Sequence, residues 1–197
     1  MKAFTTKLLT KRGLVSALAG LGLAFGVAGQ AQALMTLTID DSNTALITPD
    51  VTITDNGADD LDLNAGYIAH FGSVGTWTFN ISSGWINVGT ELMHLHSATT
   101  SSTEGGSLTI RLSRTGYVSP GTTIHLAGGI GGITNGTVDY TAEVDNGDTL
   151  FGSTETIGSV TGISGGTFAS NFARTVSVDG FYSITETVVI THTAAAG

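Results

Sequence analysis

Thr76-Trp77-Thr78-Phe79-Asn80-Ile81 and Ser107-Leu108-Thr109-Ile110-Arg111-Leu112-Ser113 both alternate apolar with polar residues. Successive side chains of a strand leave opposite faces, so Trp77, Phe79 and Ile81 share one face, as do Leu108, Ile110 and Leu112. An amphipathic helix would instead repeat its apolar residues every three to four positions. These two segments therefore predict half-buried strands and set the fold class as all-β.

The same alternation, more weakly, predicts strands over residues 35–39, 45–54 (interrupted at Pro49), 66–71, 92–97, 122–126, 138–144, 167–172 and 174–178. A final run over 181–193 puts Tyr182, Ile184, Val188 and Ile190 on one side, which Glu186 interrupts. Asp145-Asn146-Gly147-Asp148 predicts a tight hairpin leading into Thr149-Leu150-Phe151, because Asn and Gly tolerate positive φ. Gly128-Gly129-Ile130-Gly131-Gly132 reads as a surface loop. Ten or so short strands with turn residues between them predict one antiparallel β-sandwich, Ig-like or jelly-roll.

Ahead of these strands, Lys2, Lys7, Lys11 and Arg12 precede an apolar and small-residue run over 14–29, then Ala31-Gln32-Ala33. That order predicts a helical secretory signal peptide over 1–33, with a single domain over 34–197. A membrane span would need a longer, more strongly apolar run. Arg12 follows Lys11 rather than a second Arg, so the general secretory route is expected, with an extracellular or cell-surface destination.

Four of the seven basic residues lie in the leader, leaving Arg111, Arg114 and Arg174 against all 16 acidic residues, a net charge of −13 for residues 34–197. So acidic a domain repels phosphate backbones and anionic lipid, which disfavours nucleic acid and membrane surfaces as partners. The chain has no cysteine, so packing and strand pairing must hold the fold without disulfides.

Catalytic chemistry finds little footing. The Gly-rich stretch lacks the Lys and following helix of a phosphate-binding loop, and Gly162-Ile163-Ser164-Gly165-Gly166 misses the spacing of a nucleophile elbow. Residues 34–197 contain no lysine for Schiff-base chemistry. No catalytic residue is assigned, and the chain is read as a non-enzyme.

Two groups suggest binding. Asp55, Asp59, Asp60, Asp62 and Asn64 place five side-chain oxygen ligands in ten residues, as an irregular calcium loop would, although the EF-hand spacing is absent. A solvated acidic turn is the competing reading, and Ca2+ is the one cofactor considered. His94 and His96, two apart on a predicted strand, share a face and so could share a metal, or form a solvent-facing pair. Trp85 and Tyr67 are candidate sugar-stacking residues, whereas Trp77 belongs to the core by its alternation.

The segments Val51-Thr52-Ile53-Thr54-Asp55-Asn56-Gly57, Gly72-Ser73-Val74-Gly75-Thr76-Trp77-Thr78-Phe79-Asn80 and Val188-Val189-Ile190-Thr191-His192-Thr193 carry a likeness. They resemble secreted bacterial β-domain proteins, many of which bear a C-terminal sorting tag of the Pro-Glu-Pro (PEP-CTERM) type. The sequence departs from that pattern at Ala194-Ala195-Ala196-Gly197, which is not the tag, and at Met93-His94-Leu95-His96-Ser97, where relatives tend to show Asp and Asn. The resemblance implies a role at the cell surface or in the extracellular matrix, and the chain is accordingly read as a structural subunit of a surface layer, biofilm matrix or filament. Self-association is expected through exposed strand edges at 35–39 and 181–193. The alternative is a calcium-dependent carbohydrate-binding or adhesion module acting on extracellular polysaccharide.

Overall fold

Leu108, Ile110 and Leu112 are fully buried, as are Trp77 and Ile81, with Phe79 nearly so. In the computed structural model these faces meet in one core built from two antiparallel sheets. The structure describes residues 33–44, 48–87 and 91–193, with the side chains of 84–87, 91, 92, 96 and 97 left out. The signal peptide expected over 1–33 lies, but for Ala33, outside the described residues, and the described residues form one compact unit.

Among the described residues there are nine strands and no helix. They are β1 (Met35–Asp41), β2 (Val51–Thr54), β3 (Tyr67–Val74), β4 (Trp77–Asn87), β5 (Glu91–Ser102), β6 (Gly106–Val118), β7 (Thr123–Asp145), β8 (Glu155–Ser177) and β9 (Phe181–His192). The larger sheet runs β2-β1-β6-β9-β7-β8 and the smaller one β3-β4-β5. Ile39, Ile110 and Val188 lie side by side across β1, β6 and β9. The smaller sheet is a meander whose first turn has only Gly75 and Thr76 between strands; Gly75, at φ +53°, supplies the positive φ that a two-residue hairpin favours.

Several sequence expectations change. Of the strand expected over 45–54, residues 45–47 lie outside the described residues and 48–50 are not strand; β2 begins at Val51, after Pro49, a residue unable to donate to a ladder. Asn146-Gly147 does not make a tight hairpin, and Thr149-Leu150-Phe151 is not a strand. Residues 146–154 instead form a loop held against β6: Gly116 donates its N–H to Asp148 Oδ1 at 2.7 Å, and Phe151 donates its N–H to Ser113 Oγ at 2.9 Å. The positive φ angles fall on Asp148 and Phe151.

The Gly128-Gly132 loop is in fact strand, part of the 23-residue β7. β7 and β8 pair along nearly their whole length, from Thr123 opposite Ser177 to Val144 opposite Glu155. Only the inner half of β7, from Thr137 onward, also pairs with β9. Register shifts at Thr134/Thr137 and positive φ at Gly162, Gly165 and Gly166 let the two-stranded ribbon turn back over the face of its own sheet. The fold-back is visible in packing, because Phe172 of the outer arm stacks on Tyr140 of the inner arm with ring centroids 5.7 Å apart. A Cβ on Gly158 or Gly128 would collide with the Phe172 ring, so these glycines admit the close approach.

The terminal strands expected to offer free edges are both internal. β1 is flanked by β2 and β6, and β9 by β6 and β7, so their ladder groups are already paired. Thr36 and Thr38 are buried as well as Leu37 and Ile39, which leaves β1 no exposed face.

Candidate functional site

The outer arm of β7, residues 123–134, pairs with β8 on one edge and with no described strand on the other. β5 likewise pairs only with β4. Between these two edges lies a cleft of about 680 Å³. How each strand lines it reveals what it presents. β7 contributes every residue from Gly129 to Asn135, and β5 contributes His94 and Leu95, then Ala98, Thr99 and Thr100. Consecutive residues point to opposite faces, so a strand that lines a cavity with an unbroken run presents its edge. β7 and β9 line the floor with alternate residues, Val138 and Tyr140, then Glu186, Val188, Ile190 and His192. The site is thus a slot with two strand edges for walls and one sheet face for a floor.

Glu186 is the one carboxylate of that floor and lies at its Leu95 end. Its Oε2 accepts the backbone N–H of Leu95 at 3.0 Å, and its Oε1 accepts the Tyr140 hydroxyl at 3.1 Å. Burial pushes its carboxyl up to about 7, against the opposing effect of those two hydrogen bonds. Tyr140 is raised as well, first by its own burial and then by the neighbouring carboxylate charge. The Glu186–Tyr140 pair therefore holds a proton-sensitive group near neutrality inside a cleft, a combination that marks binding or reacting sites.

The five acidic-loop residues lie between β2 and β3, where Asp55, Asp60 and Asp62 turn carboxylate oxygens onto N–H groups of the loop and of β3. Asp60, buried, accepts N–H groups of Asp62 and Ala69 on Oδ1, both at 3.0 Å, and of Asn56 on Oδ2 at 2.9 Å. Asp55 Oδ2 accepts the Gly66 N–H at 2.8 Å, and Asp62 Oδ1 accepts both the N–H and the side-chain amide of Asn64. Asp59 is exposed. Among the described residues no group of three or more His, Cys, Asp or Glu side chains is placed to hold a metal ion. Between His94 and Ser97 the ladder with β4 contains a bulge, so the simple alternation that would put His94 and His96 on one face is interrupted there.

Trp77 is fully buried, its ring edge-on to His192 at 5.3 Å, and is core as its alternation predicts. Tyr67, 37% exposed, opens β3 at the far edge of the smaller sheet from the slot. The backbone of Trp85 pairs with Met93 of β5; its side chain is outside the described set. Of the sequence candidates with described side chains, His94 lines the slot, whereas Tyr67 and Trp77 do not. Sequence reasoning missed the site because the slot exists only once the β7–β8 ribbon has folded back. Its advance signals are Glu186, a carboxylate on an otherwise apolar strand face, and His94, singled out as a possible ligand rather than as part of a slot.

Among the described residues no helix is long and apolar enough to cross a membrane. No family model matches the chain, and no curated protein matches it.

Proposed function

We propose that the chain is an exported, non-enzymatic β-sandwich domain of the cell surface or extracellular matrix that works by binding, with the slot as its recognition element. One observation carries this reading: two strand edges that no described strand pairs flank a largely apolar floor whose single carboxylate, Glu186, lies at one end. Such a site offers backbone donors and acceptors along its length and apolar contact beneath, which suits an elongated ligand. The likeness to secreted bacterial β-domain proteins and the acidic, cysteine-free, lysine-free composition of residues 34–197 agree with a role outside the cell.

The second reading, a carbohydrate-binding or adhesion module, draws on Tyr140 and Phe168, whose rings line the slot. Intact-mass analysis of protein recovered outside the cell tests export, with residues 1–33 expected to be missing. Immobilised cell-surface extract separated into protein and polysaccharide tests binding. Capture by neither fraction, or a chain retained inside the cell, overturns the proposal.

A further inference from the structure

We infer that the slot accepts an extended peptide segment of a partner protein, which pairs with β5 and with the outer arm of β7 at once and so completes a second sheet. This rests on the reading of the slot as a binding site and names its ligand class.

The direction of the walls favours a strand. β5 runs from Leu95, beside Glu186, towards Ser102, which pairs with the Trp77 that packs on His192. It therefore runs parallel to β9. The outer arm of β7 starts next to Thr122, whose carbonyl accepts the Val178 N–H just before β9 begins, and ends at Gly136 against Thr191 and His192. It too runs parallel to β9. Two walls with the same direction allow one inserted strand to be antiparallel to both, the better-aligned ladder geometry. Adding a strand to an open edge is an established mode of peptide recognition, in which main-chain hydrogen bonds give affinity and alternate side chains give specificity.

The β7 edge is also unguarded, and beyond Leu95, whose N–H Glu186 accepts, the β5 edge carries no lysine, proline or charge up to Ser102. Soluble sheets shield open edges with lysine, proline or inward charges, whereas the β7 wall carries Gly129, Gly131 and Gly132. No lysine or proline lies within β5 or β7. Seven residues of extended wall span roughly 20 Å, about one ordinary strand.

The floor specifies the side chains. Every second residue of the guest faces Val138, Val188 and Ile190, so that face is apolar, and the position above Glu186 suits a lysine or arginine. The charge of −13 over residues 34–197 draws such a basic segment in from a distance. A second copy of this chain is a poor donor, because its own terminal strands are internal.

The test uses the purified protein and an end-blocked nine-residue peptide that alternates valine with threonine and has one lysine in a valine position near its C-terminus, the end that an antiparallel guest brings to Glu186. Saturable binding is expected in calorimetry, with amide hydrogen exchange slowed along 94–100 and 129–135. The same peptide N-methylated at alternate residues should bind at least about tenfold more weakly, since it loses one ladder. Val188→Phe, which fills the floor, should weaken binding similarly, and Glu186→Gln should weaken the lysine peptide but not its all-valine analogue. Failure of the peptide while soluble oligosaccharides slow exchange at the same amides overturns the strand and keeps the slot as a binding site. Failure of both overturns the two readings together.

Discussion

The Glu186 carboxylate of β9 accepts the backbone N–H of Leu95 of β5, so one side chain of the larger sheet is fastened to the bulged segment of the smaller one. The same carboxylate receives the Tyr140 hydroxyl.

This arrangement has a pH signature. Glu186 titrates near 7 in the folded state against 4.5 as its ordinary value, so its protonated form is the one folding favours. The associated stability is fully present below pH 4.5 and is lost as the pH rises through 7, on the order of 3 kcal/mol across that window. In thermal melts from pH 4 to 8, Glu186→Gln should flatten this slope. His94 and His192, which also line the slot, stay in place in that comparison, so the difference reports the carboxyl. An unchanged slope would show that water entering the slot already stabilises the charge.

Asp60 is the pin of the acidic loop. Asp60→Ala removes three acceptor contacts to Asn56, Asp62 and Ala69 and should cost about 2–3 kcal/mol in urea melts. Asp59→Ala, at an exposed position, should stay within about 0.5 kcal/mol. Because the loop's oxygens face its own N–H groups, millimolar calcium should leave the melting temperature where sodium of equal ionic strength leaves it. A calcium-specific rise would restore the loop as a cation site.

Phe172 fastens the folded-back ribbon. Phe172→Ala removes the contact with Tyr140 and should open the outer arm without unfolding the larger sheet. Limited proteolysis is then expected to cut within 123–134 or 166–177. Gly158→Val, whose Cβ would occupy the position of the Phe172 ring, should give the same cleavage pattern.

The centre of the larger sheet behaves differently. Ile110 is fully buried between Ile39 and Val188, so Ile110→Ala should cost roughly 2–5 kcal/mol and lower the denaturant midpoint of the whole domain. A loss below about 1 kcal/mol would mean that neighbouring side chains collapse into the space.

Why some of this is legible in the sequence and some is not follows from what carries the signal. Trp77 to Ile81 and Leu108 to Leu112 show their strands because one face is buried and the other is wet. Gly128 to Gly132 hide theirs: glycine has no side chain to display a period, and these residues are strand through pairing with residues 168–172 of β8. The Asn146-Gly147 hairpin fails because local turn preference gives way to contacts with Ser113 and Gly116, more than 30 residues earlier in the chain. The acidic loop is legible as a cluster of oxygens, but only the fold shows that backbone N–H groups claim them. The slot is the least legible, since its walls come from β5 and from a ribbon that doubles back.

β9 lies between β6 and β7, and β6 lies between β1 and β9. Before residues 181–192 have been made, the earlier segments have only their hairpins and the β1–β6 pairing to hold them, and the middle of the larger sheet is absent. Closing it joins strands separated by long stretches of chain, which makes folding slow. A polypeptide built this way cannot complete its larger sheet until its last strand has left the ribosome.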